Sequence, residues 1–254
     1  MKTLALATAL ACFSWQASAG PASAQRAAIY PSGPAVPENL LRIELRFDAP
    51  LRVPLDVNDV KLLDAQGHEI PDAFLDLGLP SADDRRVTLL MHPGRVKTGV
   101  GANERLGRAL HPGETVTLIV AHPSLAHPVA KTWRIGDFDA TPPQPRTWRV
   151  ELPHAGSREP IIVRLGDPIS STAEALIAVR DGQGRRVPGR VRLEGGETVW
   201  RFTPRQSWDV GAYAVVAHPD LEDPAGNRVC AAFEQVVESQ VACDAQAELP
   251  FSVR

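Results

Sequence analysis

Two histidines stand in the same four-residue context, Val-Ala-His-Pro, and could hold a metal ion together. His122 lies in "IVAHPSL" and His218 in "VVAHPDL". The proline after each histidine has no N–H to donate and therefore ends a β-ladder. A duplicated structural unit would also repeat these residues, and equivalent positions of tandem units lie too far apart to share one ion. We therefore expect no shared metal, with each imidazole bonded at a strand end to backbone or solvent.

Oxygen-bearing side chains gather just beyond the second histidine, in "DLEDPAGN". Asp220, Asp223 and Asn227, with Glu222 between them, offer the ligand atoms that calcium prefers. Their spacing is not that of an EF-hand, and Asp-Pro-Ala-Gly-Asn is sufficient for a turn. The segment is interpreted as a turn, and Asp220, Asp223 and Asn227 are kept as a calcium candidate.

The sequence lacks the common motifs of enzyme active sites. It contains no G-x-S-x-G, no H-E-x-x-H and no phosphate-binding P-loop. His154 and Ser157 are close in "PHAGSREP", but closeness in sequence does not make a triad, and a turn explains the segment equally well. We expect no catalytic residue and no cofactor, and keep a hydrolase only as a hypothesis to test.

A long cationic segment is the candidate binding loop. Residues 97–109, "KTGVGANERLGRA", have no counterpart of similar length in the second half of the chain, and Arg95, Lys97, Arg105 and Arg108 make the segment basic. Long loops without apolar periodicity are often functional. A surface insertion that packs against the fold is the alternative.

Four tryptophans allow either sugar stacking or core packing. They lie in or beside alternating apolar runs, which favours the core. They are Trp133, Trp148, Trp200 and Trp208.

The N-terminus resembles a secretory leader. Lys2 precedes the apolar run "TLALATALACFSW" and the small residues "QASAGPASA", which predicts a signal peptide over residues 1–24. Cys12 as a lipid-anchored cysteine is the alternative. After cleavage Cys230 and Cys243 remain, an even pair in an exported protein, and are predicted to form a disulfide. Two unpaired thiols are the other possibility.

Charge and hydropathy limit the partners. Loss of Lys2 with the leader changes the formal net charge from −3 to −4, with basic and acidic residues interspersed over the whole chain. Nucleic-acid binding needs a concentrated basic face, so it is not expected. No segment after residue 25 is long and apolar enough to predict a membrane span. We expect a periplasmic or secreted protein.

Short runs with a period of two dominate the chain. In "LRIELRF" Leu41, Ile43, Leu45 and Phe47 alternate with charged residues, which predicts a strand with one face in the core and one in water. Similar runs are "VTLLM", "TVTLIV", "WRVEL", "IIVRL", "VWRF" and "AYAVV". With 23 prolines and 19 glycines between them, an all-β sandwich is predicted.

The strands occur in the same order twice. "LLRIELRFDAPL" corresponds to "EPIIVRLGDPIS", "VKLLDAQG" to "IAVRDGQG", "TVTLIVAHPSL" to "AYAVVAHPDL" and "KTWRI" to "LPFSVR". Two tandem β-sandwich domains are therefore predicted over residues 25–137 and 148–254. The Pro-rich stretch at 138–147 would be a short, semi-rigid linker.

These runs, and above all "LEDPAGN", resemble the bacterial Ig-like domain of the surface-layer (SbsA) type. The first repeat departs from that pattern, since "SLAHPVA" stands where the second has "DLEDPAGN". The resemblance implies an extracytoplasmic, non-catalytic module for spacing, adhesion or envelope assembly, with an unknown envelope protein or glycan as partner. The alternative function is glycan or peptide binding through the 97–109 loop or the interdomain groove.

Overall fold

The computed structural model describes residues 25–96, 107–229, 231–233 and 247–254. Their regular structure is almost entirely β, with one short helix, α1 (Pro93–Val96), and three 3₁₀ turns at Val57–Asp59, Pro145–Thr147 and Ser171–Leu176. The first eight strands are β1 Ala27–Tyr30, β2 Ala35–Pro37, β3 Arg42–Phe47, β4 Val60–Leu63, β5 Phe74–Pro80, β6 Arg86–Met91, β7 Thr115–Val120 and β8 Val129–Gly136. The next seven are β9 Arg149–Glu151, β10 Ile161–Arg164, β11 Ile177–Asp181, β12 Gly189–Glu194, β13 Val199–Pro204, β14 Gly211–Ala217 and β15 Ala247–Val253.

Alternation along the strands divides the apolar residues into two separate cores. In β6, Val87, Leu89 and Met91 are buried, and the residues between them are half-buried. One core is built from residues of β1 to β8, and the other from residues of β9 to β15 and their loops. Each set of strands therefore folds around its own interior, as successive side chains of a strand point to opposite faces.

The strand order of each set is that of an immunoglobulin sandwich. In the first sandwich (β1 to β8) one sheet has the order β1-β3-β6-β5, and the other has β4-β7-β8 with β2 added parallel to β8. In the second sandwich (β9 to β15) the sheets are β9-β10-β13-β12 and β11-β14-β15. Lettered from A in chain order, with the added strand β2 left out of the count, these are the ABED and CFG sheets of the constant-type immunoglobulin fold. The chain is thus two tandem immunoglobulin-like β-sandwiches.

A further feature of that fold occurs near the start of β14, which is strand F of the second sandwich. The Tyr213 hydroxyl donates a hydrogen bond to the Asp209 carbonyl, four residues upstream, at 3.2 Å. This is the tyrosine corner of immunoglobulin-like domains. Its ring also stacks on Phe251 with centroids 5.6 Å apart, which ties strand F to strand G.

The repeat that the sequence predicted matches equivalent strands. The paired runs are β3 with β10, β4 with β11, β7 with β14 and β8 with β15. Among the described residues, no helix has the length and apolar character needed to cross a membrane.

Candidate functional site

The polar face of β3 is buried against the second sandwich. Glu44, at its centre, is 2% exposed. Its Oε2 accepts a hydrogen bond from Ser171 Oγ at 2.7 Å, and its Oε1 pairs with Arg46 Nε at 2.7 Å. Nearby, Arg42 pairs with Glu222 at 2.8 Å. The prediction that this face of the strand is in water is therefore wrong, because Ser171 and Glu222 of the second sandwich cover it.

Arg46 supplies the positive charge of this contact. Its guanidinium lies 4.6 Å from the centre of the Tyr30 ring, its Nη2 donates to the Ser171 carbonyl at 2.6 Å, and its Nη1 is 3.6 Å from the Glu174 carboxylate. Burial acts to lower the pKa of Arg46, but the hydrogen bond and charge of Glu44, with Glu174 and Tyr30, outweigh it and raise that pKa above its ordinary value. Arg46 therefore remains a cation beside the buried carboxylate.

A tight turn forms a second contact between the sandwiches. Glu197 is 1% exposed and accepts hydrogen bonds from the Ser32 N–H at 2.8 Å and the Ser32 hydroxyl at 2.5 Å. The preceding residue, Gly196, has a φ of +68°, and a Cβ there would lie 2.9 Å from the Gly33 Cα. Glycine is therefore required at Gly196 for both its backbone conformation and the close approach of the first sandwich.

The connector is bonded to both sandwiches through Asp139. Its carbonyl accepts hydrogen bonds from Asn39 Nδ2 at 2.8 Å and Asn227 Nδ2 at 3.1 Å, and its N–H donates to Asn39 Oδ1 at 2.9 Å. Both asparagines are buried. Close by, the Leu41 N–H donates to the Pro224 carbonyl at 2.9 Å. A buried amide loses free energy if its hydrogen bonds break, so these bonds hold the connector in place.

A cavity of about 390 Å³ opens beside the connector. Its apolar walls include Phe138, Pro142, Pro143, Trp148 and Pro168. Its charged lining consists of Asp139, Asp167 and Asp223, and no lining residue within the described ranges is basic. Its lining residues belong to the connector and the second sandwich, so the cavity is distinct from a groove between the two sandwiches, and binding at such a groove stays a prediction.

Asp223 is the most perturbed acid of this cavity. It is 5% exposed, and its two carboxylate oxygens accept hydrogen bonds from the Asn227 N–H and Nδ2, each at 2.9 Å. Burial raises the pKa of Asp223 to about 6, against the effect of the Asn227 hydrogen bonds, and the charge of Asp139 adds to the rise. A negative charge at Asp223 is thus poorly compensated by the protein.

The repeated histidines lie just past equivalent strands and bond to local backbone. Nδ1 of His122, after β7, accepts the Ser124 N–H at 3.2 Å, and Nδ1 of His218, after β14, accepts the Asp220 N–H at 3.1 Å. His92, also followed by proline, makes the same bond two residues ahead at 3.0 Å. Because proline has no N–H, the imidazole accepts its hydrogen bond from the backbone N–H of the residue after the proline. The prediction of a backbone-bonded imidazole at each strand end is confirmed.

The calcium candidate residues are bonded to different partners. Asp220 is exposed and pairs with Arg228 at 3.2 Å, whereas the Asp223 carboxylate is bonded by Asn227. Within the described ranges, no group of three or more His, Cys, Asp or Glu side chains could hold a metal ion. The segment forms the predicted turn, since the Gly226 N–H donates to the Asp223 carbonyl.

The candidate binding loop is only partly visible. Lys97 and Arg105 lie outside the described residues. Arg95 is 6% exposed, and Arg108 pairs with Glu38 at 2.5 Å. The two described arginines therefore do not form an open cationic surface, and a role for the loop stays a prediction.

The residues of the hydrolase hypothesis do not form a nucleophile–base pair. The Ser157 hydroxyl donates to the His154 backbone carbonyl at 2.7 Å, and His154 Nδ1 contacts the Glu159 carboxylate at 2.8 Å. All three residues belong to one exposed or half-exposed loop. Their contacts are those of a turn.

The tryptophans belong to the cores, as predicted. All four are at most 7% exposed, the highest value being that of Trp148, which also lines the cavity. The indole N–H of Trp208 donates to the Glu159 carbonyl at 2.8 Å, and that of Trp133 to the Pro31 carbonyl at 2.9 Å. A clustered, exposed surface for sugar stacking is not formed by these four residues.

Comparison with known proteins finds distant structural similarity and no sequence match. No protein-family model matches the chain, and no curated protein sequence matches it. Among solved structures, a chimeric titin Z1Z2 carrying an exogenous decorin peptide covers 77% of this chain and 90% of its own, with 15% identity and a TM-score of 0.26. The N-terminal Ig1-2 module of the Drosophila receptor tyrosine phosphatase DLAR covers 76% and 90%, with 12% identity and a TM-score of 0.25. Scores this low say nothing about function, and the fold assignment depends on the strand order.

Proposed function

We propose that this chain is an exported, non-catalytic module of the cell envelope that holds two immunoglobulin-like sandwiches in a fixed arrangement for spacing or protein interaction. The observation that supports it is the buried polar contact between the sandwiches, centred on Glu44. A flexible pair of domains would not bury a carboxylate at a joint, because an uncompensated buried charge costs several kcal/mol.

The segment that resembles surface-layer domains supports the same role. In "LEDPAGN", Glu222 pairs with Arg42, the Pro224 carbonyl accepts the Leu41 N–H, and Asn227 bonds the connector at Asp139. The segment therefore acts as a docking element toward the preceding sandwich. In this proposal the "LEDPAGN" segment, on which the family resemblance depends, forms a turn and also holds the two sandwiches of the tandem together.

The remaining assignments complete the proposal. Residues 1–24 are a signal peptide, the domains are residues 25–137 and 148–254, and 138–147 is the linker. Cys230 and Cys243, which lie outside the described residues, form a disulfide in the exported protein. Mass spectrometry without reductant should find both thiols protected from alkylation, and two alkylatable thiols would contradict the pairing.

Alignment measurements by NMR test the fixed arrangement. Residual dipolar couplings from the two sandwiches of the exported chain should fit a single alignment tensor. Separate tensors of different magnitude would contradict the proposal. Cell fractionation tests export, because the mature chain should start near Gln25 outside the cytoplasm, and an uncleaved chain retained inside would contradict that part.

Peptide or glycan binding at the cavity beside the connector is the second candidate function. The observation that favours it is the cavity beside the connector, whose volume lies within the usual range of ligand sites. Saturation-transfer NMR with mixed peptide and glycan libraries should show contacts to the Trp148 ring if this function is correct, and none if it is not.

A further inference from the structure

We propose that the cavity beside the connector binds the guanidinium group of an arginine on a partner peptide or protein. This inference rests on the interaction role proposed above and specifies the chemistry of the partner. The cavity is concave, about 390 Å³ in volume, and lies where the connector meets the second sandwich. Sites of this position and size commonly accept ligands.

The charge of the lining selects a cation. Asp139, Asp167 and Asp223 line the cavity without any basic lining residue among the described ones. Asp167 is exposed, and its carboxylate makes no ion pair with any described residue. Asp223 is buried, and its negative charge is disfavoured by burial and by Asp139. A cation in the cavity would therefore gain from three carboxylates and relieve the repulsion between two of them.

The hydrogen-bonding character of the lining favours arginine. Carboxylates only accept hydrogen bonds, and Pro142, Pro143 and Pro168 have no N–H to donate. The Thr147 hydroxyl is already used, since it donates to the Gln144 carbonyl at 2.8 Å. A guanidinium carries five donors and no acceptor, which matches the three carboxylates of the lining. The Gln144 amide and the Thr141 hydroxyl offer an acceptor oxygen as well as a donor, and the Trp148 indole N–H only donates.

The aromatic wall fits a planar cation. Phe138 and Trp148 both line the cavity. The chain already places the guanidinium of Arg108 over the Phe138 ring, 5.6 Å from its centre. Arg108 does not neutralise the cavity, because its charge is paired with Glu38. Arginine stacks on aromatic rings more readily than lysine, whose charge is compact and strongly hydrated.

Three peptides of one length test the inference on the mature chain. N-acetyl-Gly-Arg-Gly amide is compared with the same peptide carrying citrulline, which keeps the shape but not the charge, and with the lysine peptide. Binding is followed by ¹H–¹⁵N chemical shifts and by calorimetry. We expect the arginine peptide to bind at least tenfold more tightly than the citrulline peptide, and more tightly than the lysine peptide, with shifts confined to the connector and to the amides of Asp167 and Ile169, which line the cavity.

Two isosteric variants separate the site from general electrostatic attraction. Asp167→Asn should weaken arginine-peptide binding at least fivefold, whereas Asp76→Asn, an exposed position outside the cavity, should leave it unchanged. Equal affinity for arginine and citrulline, equal loss in both variants, or no binding of the arginine peptide at millimolar concentration would each overturn the inference. A single alignment tensor in Asp167→Asn shows that the joint is intact, so failure at the cavity is distinguishable from failure of the fixed arrangement.

Discussion

The hydrogen bond between Ser171 and Glu44 joins two sandwiches, so its energy measures their coupling directly. The acceptor is a 2% exposed carboxylate and the donor a 7% exposed hydroxyl, 2.7 Å apart. Hydrogen bonds to charged groups contribute about 1.5–3 kcal/mol, and those between neutral groups about 1 kcal/mol. Ser171→Ala should therefore cost about 2 kcal/mol in the native chain. In a Glu44→Gln background, where the acceptor is neutral, the same change should cost about 1 kcal/mol.

A double-mutant cycle isolates this difference. The free energy of unfolding is measured in urea for the native chain, the two single variants and the double variant, and the expected coupling is about 1 kcal/mol. A control cycle combines Ser171→Ala with Asp209→Asn, an exposed substitution elsewhere in the second sandwich, in place of Glu44→Gln. The coupling free energy in this control should be less than about 0.3 kcal/mol. Additive costs for Ser171→Ala and Glu44→Gln would refute the contact, because residues of two independent sandwiches share no partner.

Three other changes test single features of the structure. The Asp223 carboxyl should titrate with a midpoint near pH 6 by ¹³C NMR, and a midpoint below 4 would contradict its burial. Because its folded pKa is above its unfolded value, Asp223 contributes up to about 3 kcal/mol to the free energy of unfolding below about pH 4, and this contribution is lost as the pH rises through 6. Gly196→Ala and Gly67→Ala should both lose about 1–2 kcal/mol to backbone strain, because both glycines have a positive φ. Gly196→Ala should lose more, since only its Cβ would meet the backbone of the other sandwich, at Gly33, and equal losses would exclude the close approach. His122→Ala should cost about 2–4 kcal/mol and His218→Ala about 1 kcal/mol by urea unfolding, since the first histidine is buried and the second is half exposed. The two costs should add, and a chelator should leave the melting temperature of the native chain and of both variants unchanged; a chelator-sensitive melt would indicate a metal.

The sequence predicted the strands whose apolar residues recur with a period of two, and missed those without that signal. β1 and β2 are three or four residues long, too short to show a period. β5 pairs with β6 through an irregular register between Phe74 and Gly78, which interrupts its alternation. The equivalence of the repeats was clear because equivalent strands keep their apolar faces, and because β7 and β14 are both followed by His-Pro.

The contact between the sandwiches could not be predicted from a local pattern in the sequence. Alternating charges in "LRIELRF" are equally consistent with water and with a docked polar partner. Glu44 is buried only because Ser171, more than a hundred residues away in the chain, donates to it. Likewise, the three acids of the cavity come from the connector and from two separate loops of the second sandwich. Burial that depends on the docking of two folded units is not encoded in any one segment.

The difference between the two repeats is most informative where they diverge after the shared Val-Ala-His-Pro region. Both keep the histidine, which performs the same backbone bond in each sandwich, so this part reflects duplication. Only the second continues into "LEDPAGN", and Glu222, Pro224 and Asn227 each contact the first sandwich or the connector. The equivalent "SLAHPVA" has no carboxylate or amide with which to make such contacts. Divergence at this one loop therefore adds contacts of a duplicated strand end to those that Ser171 and Glu197 make with the first sandwich.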